Sequence, residues 1–205
     1  MLNRVPDINK DHKTDKINEL INHVKAKWKI MYPYTKFLTI DESVAAYKGK
    51  LVFKQYLKDK NKCFGLKFFT KASSDKGYIY HILPYEGKGF EYDKKIGLGA
   101  SILKKFSTIH ENNSYHFTFD NYYANIFSIS HLYNNEIDFT CAFLSNRKGF
   151  PETIKNIKIE KGENKLFKLN YTKIIFYFYK PKEKQVQFIS NKYSAKMVKY
   201  KKKIR

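Results

Sequence analysis

The chain of 205 residues is short of several residue types, and each shortage removes a class of protein. It has two cysteines, Cys63 and Cys141, far apart and in no metal-ligand spacing. That excludes a disulfide scaffold and a zinc ribbon, and leaves buried thiols as the expectation. Nine glycines and five prolines, with no repeats and no Gly/Ser linkers, argue against a collagen-like or low-complexity chain. No apolar run reaches membrane-spanning length, and residues 1–15 are polar and charged rather than a signal peptide. A soluble intracellular protein with no membrane partner is expected. Acidic residues are scarce, 19 against 40 basic, and arginine is scarcer still, confined to Arg4, Arg147 and Arg205.

What is present points the other way from disorder. Apolar residues make up 42% of the chain and aromatic residues 17%, too many for an unfolded basic tail. The length suffices for one domain, or a core with a small subdomain, and the formal charge of +21 attracts polyanions, nucleic acid first and anionic membrane second. Because the excess is almost all lysine, in company with much Asn, Ile, Tyr and Phe, codon bias toward A/T accounts for the charge as readily as phosphate contact does. Lysine supplies a point charge where arginine supplies a fork.

Apolar residues Ile17, Leu20, Ile21, Val24, Trp28 and Met31 recur at three- and four-residue steps and predict a helix ended by Tyr32-Pro33. Residues 37–40 read as a short strand stopping at Asp41-Glu42. Runs 51–57, 63–72 and 78–84, separated by turn residues, read as an antiparallel meander. Leu98, Ile102, Leu103, Phe106 and Ile109 then fall on one helical face. Residues 116–119 make a strand ending on Asp120, a helix follows through Ile126, Ile129 and Leu132, and residues 139–144 make another strand. Beyond Ser145 the chain turns lysine-rich and then β-rich, at 165–169, 174–179 and 186–190.

This order is what a ribonuclease-H-like α/β fold requires, and in such a fold the strands ending at Asp41 and Asp120 are neighbours. Two carboxylates at one sheet edge repel unless a cation neutralises them. Hard oxygen ligands suit Mg²⁺ or Mn²⁺, and such ions clamp the oxygens of a phosphodiester during in-line displacement. Either aspartate alone is equally well read as a turn former or helix cap.

Several blocks resemble piggyBac-type transposases, in order and at compatible spacing. They are Leu38-Thr39-Ile40-Asp41-Glu42-Ser43, Tyr47-Lys48-Gly49-Lys50, Phe53-Lys54-Gln55-Tyr56, Gly65-Leu66-Lys67, Gly77-Tyr78-Ile79-Tyr80, Tyr85-Glu86-Gly87-Lys88, Leu98-Gly99, Phe119-Asp120-Asn121-Tyr122-Tyr123 and Asn146-Arg147-Lys148-Gly149-Phe150-Pro151. The resemblance covers roughly residues 15 to 200. It implies a cut-and-paste DNA transposase that uses divalent metal, Mg²⁺ or Mn²⁺, on transposon ends and a TTAA target, located in the nucleus and acting as a homodimer. Asp41 matches the family's first catalytic aspartate and Asp120 its second, both as metal ligands. The third lies in a Gly-Gly-Val-Asp block. Met197-Val198-Lys199-Tyr200 resembles the approach to that block, which is expected beyond Arg205. Activity is accordingly expected to be absent or much reduced, and a non-catalytic DNA-binding or interaction protein is the alternative.

Glu42 and Asn121 adjoin the two aspartates and read as hydrogen-bonding groups that support them, with Asn121 equally readable as a helix cap. Arg147 and Lys148 are DNA-phosphate contacts or a solvated turn. Tyr122 and Tyr123 either stack on an extruded base or pack. Asp138, Glu152, Glu160, Glu163 and Glu183 are poor stand-ins for a third ligand because none lies on the helix that should present it. The six histidines show no metal spacing. The expected organisation is a helical segment over 1–36, the catalytic core over 37–145, a basic β-rich insertion over 146–195 and a basic tail over 196–205.

Overall fold

A computed structural model describes residues 14–57, 63–108, 115–155, 157–169 and 173–193. The basic tail, the stretch 197–200, Ile109, His12 and His110 lie outside the described residues, as does the side chain of Cys63.

Helix α1 (Asp15–Met31) is followed by strands β1 (Phe37–Ala46), β2 (Gln55–Leu57), β3 (Cys63–Ser73) and β4 (Ile79–Pro84). Then come α2 (Leu98–Ser107), β5 (His116–Phe119), α3 (Ile126–Asn134), β6 (Asp138–Ala142), the single turn α4 (Glu152–Lys155), and β7 (Asn164–Lys168), β8 (Ile175–Tyr179) and β9 (Val186–Ser190). All nine strands share one mixed sheet in the order β2-β3-β1-β5-β6-β9-β8-β7, with β4 on the same edge of β3 as β2. β1, β5 and β6 run parallel through the crossovers α2 and α3, and the rest pair antiparallel. This is the strand–meander–helix–strand–helix–strand order anticipated above.

Alternation decides which side of the sheet is covered. Leu38 and Ile40 on β1, Phe117 and Phe119 on β5, and Phe139 and Cys141 on β6 form one cluster with Ile102, Leu103 and Phe106 of α2 and Ile129 and Leu132 of α3. Between them Asp41 and Thr118 are exposed and Thr39 and Thr140 half-buried, so the opposite face is polar across these strands. Burial pushes the Cys141 thiol well above the ordinary range, which fits an inert core thiol.

Several boundaries differ from the sequence reading. β1 does not stop at the acidic pair; it continues to Ala46 because its pairing with β3 runs on to Ala46↔Gly65. The run 51–57 shrinks to the three residues of β2, preceded by a turn. In α1 the predicted stripe is only partly packed: Ile21 is buried, whereas Leu20 and Met31 are exposed. Its contacts are with β4, and Thr14 Oγ1 donates to Glu86 at 2.6 Å. The β-rich segment after Ser145 extends the same sheet, β9 pairing with β6 through Thr140↔Ser190 to Ala142↔Phe188.

Candidate carboxylate edge

The parallel pairing of β1 with β5 ends at Ile40↔Phe119. The next residue on each strand is an aspartate, Asp41 and Asp120, and both are exposed. From there β1 stays with β3, where the Thr70 hydroxyl donates to the Asp41 carbonyl at 2.9 Å, while β5 turns away. The divergence leaves the two carboxylates at the point where the sheet opens.

Local hydrogen bonds orient both groups in the same way. Asp41 Oδ1 accepts from the Glu42 N–H at 2.8 Å. Asp120 Oδ1 accepts from the Asn121 N–H at 2.6 Å and from Asn121 Nδ2 at 3.0 Å. On each carboxylate these donors converge on Oδ1. Asn121 therefore supports Asp120 and does not cap the next helix. That cap is Asn125, whose side chain accepts from the Ser128 N–H at 2.9 Å and donates to the Ile96 carbonyl at 2.8 Å.

Glu42 lies beside Asp41 on the opposite face of the strand and is fixed from below. Tyr123 Oη donates to its Oε1 at 2.6 Å, and Lys67 Nζ stands 3.9 Å from the same oxygen. Tyr123 is fully buried, so burial, the hydrogen bond to Glu42 and the charges of Glu42 and Asp41 drive its pKa far up, and it remains a neutral donor. Tyr122 is pushed up to about 12 by burial and by Glu42. It lies nearly parallel to Phe69 at 6.5 Å, with Lys67 Nζ 5.1 Å from its ring. The tyrosine pair thus packs.

Gly99 explains how the Tyr122-Tyr123 turn reaches this position. A Cβ on Gly99 would lie 2.3 Å from the Tyr122 carbonyl oxygen, closer than any side chain permits, so only glycine lets α2 and this turn touch.

Arg147 reaches the same turn from the far side. Its Nη2 donates to the Asn121 carbonyl at 3.1 Å, and its Nε is buried with no partner among the described residues. The guanidinium is therefore no solvated turn residue, whereas Lys148 is exposed. Next to Asn121, a cavity of about 420 Å³ opens where the end of β6 meets the start of β9, lined among others by Leu144, Ser145, Lys184, Val186, Gln187 and Phe188.

The other acids lie elsewhere. Asp138 begins β6, in register with His116 at the opposite end of the parallel strands, and pairs with Lys192. Glu152 pairs with Lys155 and Glu183 with Lys161, while Glu163 accepts from the Glu160 N–H. Among the described residues no group of three or more His, Cys, Asp or Glu side chains is placed to hold a metal. Two carboxylates with oxygen donors at one edge still match a hard divalent cation in chemistry. The sequence reading missed the role of Tyr123 as the support of Glu42, and the cavity; the tyrosine pair stood in a quoted block, but nothing in the sequence marks the Tyr123–Glu42 bond. No helix among the described residues is long and apolar enough to cross a membrane.

Comparison with known proteins gives a consistent result. The profile of the family described as Transposase IS4 matches residues 2–205. The human PiggyBac transposable element-derived protein 3 is 31% identical over 118 residues, which is 56% of this chain and 20% of that protein. A human chimeric ERCC6-PGBD3 protein has the same identity over the same length, 11% of its own chain. The chain therefore spans a fifth or less of these relatives. The cryo-EM structure of a piggyBac transposase synaptic complex with hairpin DNA shares the fold at a TM-score of 0.80 and 22% identity, over 91% of this chain and 39% of that one. On the strength of the family match over nearly its whole length, this chain belongs to the Transposase IS4 family and is a piggyBac-like, transposase-derived protein with a ribonuclease-H-like core.

Proposed function

We propose that the Asp41–Asp120 edge is by descent a divalent-metal site for phosphoryl transfer on DNA, with activity absent or much reduced where two carboxylates stand alone. Residues 37–145 are its catalytic core and 146–195 a basic β-rich extension. The observation that carries this reading is the common end of the β1–β5 pairing at Ile40↔Phe119, after which each strand continues with an aspartate. Asp41 and Asp120 would hold Mg²⁺ or Mn²⁺, which when bound supplies charge neutralisation and a polarised oxygen at the phosphodiester. Glu42 and Asn121 keep the two carboxylates in place, Arg147 fixes the Asn121 carbonyl, and exposed Lys148 meets a DNA phosphate. The DNA would be transposon ends with a TTAA-type target, met in the nucleus and by a homodimer.

Titration calorimetry with Mn²⁺ tests the site: the chain binds, and Asp41→Asn and Asp120→Asn each abolish binding while leaving the thermal transition in place. Undiminished binding in both variants removes the reading. Mn²⁺-dependent nicking of transposon-end DNA, lost in Asp120→Ala, would establish activity. A second reading, DNA binding without chemistry, is favoured by the formal charge of +21, which acts on any polyanion. It predicts salt-sensitive, metal-independent binding that Asp41→Ala leaves unchanged.

A further inference from the structure

The sheet face opposite α2 and α3 changes character from one side to the other. On β1, β5 and β6 it carries Thr39, Thr118 and Thr140. On β8 and β9 it is aromatic. Phe176, Phe178 and Ile189 are buried in the core, so alternation sends Tyr177, Tyr179 and Phe188 to the open side. Their rings form one near-parallel row: Tyr179 and Tyr177 lie 6.4 Å apart at 23°, and Tyr177 and Phe188 lie 6.4 Å apart at 30°. Phe188 is exposed, as is Leu166, which pairs with Tyr177 from β7. Large apolar side chains gathered on an open face mark an interaction surface.

The strand register ties this row to the carboxylates. Beyond Ile40↔Phe119 and Phe119↔Cys141, the next residues in line are Asp41, Asp120 and Ala142. The pairs Ala142↔Phe188, Phe188↔Tyr177 and Tyr177↔Leu166 carry the same line to the outermost strand. Phe188 is thus two strands from Asp120, roughly 10 Å. The cavity of about 420 Å³ lined by Asn121, Ala142 and Phe188 hollows the path between them. Cations flank the row: Lys184 lines that cavity, and Lys168 reaches the open face through Lys168↔Ile175 and Ile175↔Ser190, both lysines being exposed. Rings bordered by lysines suit the bases and phosphates of an unpaired nucleic-acid strand, whereas a second copy of this chain on the same face would set one formal charge of +21 against another.

We propose that the open face of β8 and β9 is a stacking platform for an unpaired DNA strand leaving the carboxylate edge, with successive bases on Phe188 and Tyr177. Every base has a face to stack, so the platform reads single-strandedness and not sequence. The inference takes its occupant from the reading that the carboxylate edge engages DNA, yet its test needs neither metal nor cleavage.

The test is fluorescence anisotropy of the full chain in metal-free buffer with two labelled probes of about 12 nucleotides, within the site size of one single-strand-binding module. One is an oligothymidylate and the other an abasic oligomer of the same length. Both carry the same phosphates, so added salt weakens them alike and leaves their ratio unchanged. The oligothymidylate should bind roughly 5- to 150-fold more tightly for each base stacked. Phe188→Leu and Tyr177→Leu, which keep apolar bulk but remove a ring, should each lower that ratio, and Phe188→Tyr should preserve it. Equal binding of the two probes by the unmodified chain overturns the proposal with no variant needed, as does a ratio that neither leucine variant moves. A dimer in sedimentation that Phe188→Leu dissociates and the oligothymidylate does not would assign the face to a second copy and overturn it too. A base dependence that persists in Asp41→Asn and Asp120→Asn supports the platform whether or not those variants bind Mn²⁺. Its absence in a chain with a normal Mn²⁺ titration sinks the platform and leaves the carboxylate reading standing.

Discussion

On β1, β5 and β6 the residues Leu38, Ile40, Phe117 and Phe139 are at most 1% exposed, packed under α2 and α3, whereas Leu166 on β7 and Phe188 on β9 keep 47% and 38% of their surface. The first half of the sheet is backed by two helices; the second continues the same hydrogen-bonded ladder but buries mainly Phe176, Phe178 and Ile189, against Phe150, Ile154 and Ile174. The two candidate carboxylates stand on the first half, and the cavity opens where the halves meet. A group that must be held in fixed geometry is thus anchored on the densely packed half, and the less buried half supplies the adaptable wall.

The largest expected effect tests that contrast directly. Phe139→Ala in the helix-backed half should cost about 3–5 kcal/mol in urea unfolding, because it empties a site with no room to collapse. Leu166→Ala, half exposed on the outermost strand, should cost less than about 1 kcal/mol. Equal losses would mean that the two halves are one uniformly packed body and would end the comparison.

Next comes a pH effect confined to the packed half. Lys71 on β3 is fully buried, donates from Nζ to the Phe106 carbonyl at the end of α2 at 3.1 Å, and lies 5.3 Å from the Tyr34 ring. Burial lowers its pKa from 10.5 to about 7. The unfolded chain therefore holds a proton on Lys71 that the folded chain has released between about pH 7 and 10.5, so this group makes stability rise with pH across that window and contributes no slope below it. Chemical denaturation at pH 7, 8 and 9 should show the rise, on the order of 1 kcal/mol per pH unit, and Lys71→Met should flatten it. A flat profile in the unmodified chain would show that the aromatic rings and the helix end solvate the ammonium well enough to cancel its burial.

Lys71 also shows what the sequence could and could not convey. Strand alternation and the step from period two to period 3.6 made the core strands, α2 and α3 legible, and with them the neighbouring positions of Asp41 and Asp120. A lysine at an inward-facing strand position carries no such signal, because its burial depends on α2 ending above it. The true end of β1 was hidden for a related reason: the acidic pair reads as a stop, but the strand is held by pairing with β3, a contact set by residues 19 or more positions away. The cavity was illegible because it joins Asn121 to Gln187 across strands distant in the chain. The Asn125 cap was readable in principle, lying immediately before an apolar helical run, yet Asn121 drew the reading by standing next to the aspartate.

A smaller effect separates the support of the edge from its exposed carboxylates. Tyr123→Phe removes the hydrogen bond to Glu42 and should cost about 1.5–3 kcal/mol, since the acceptor is charged and the donor buried. Asp120→Asn, at the surface of the same site, should stay within about 0.5 kcal/mol of the unmodified chain. A double-mutant cycle of Tyr123→Phe with Glu42→Gln should recover most of the loss as coupling. Additive losses would show that Glu42 is held by Lys67 instead.

The smallest effect sets two ion pairs against each other, one at the seam between the halves and one in the outer half. Asp138–Lys192 joins β6 to the end of β9, with both side chains 29% exposed, and Lys161–Glu183 joins turns of the extension at 3.3 Å with exposures of 66% and 87%. Solvent screens the second pair and leaves its long side chains free, so Glu183→Gln should change stability by less than about 0.3 kcal/mol, below what thermal denaturation resolves. Asp138→Asn should cost about 1 kcal/mol, and half-molar salt should remove less of it, because partial burial shortens the reach of screening. If salt abolished both differences equally, the seam between β6 and β9 would be as wet as the outer turns. The adaptable half of the sheet would then begin at β6 itself, next to the strand that leads into Asp120.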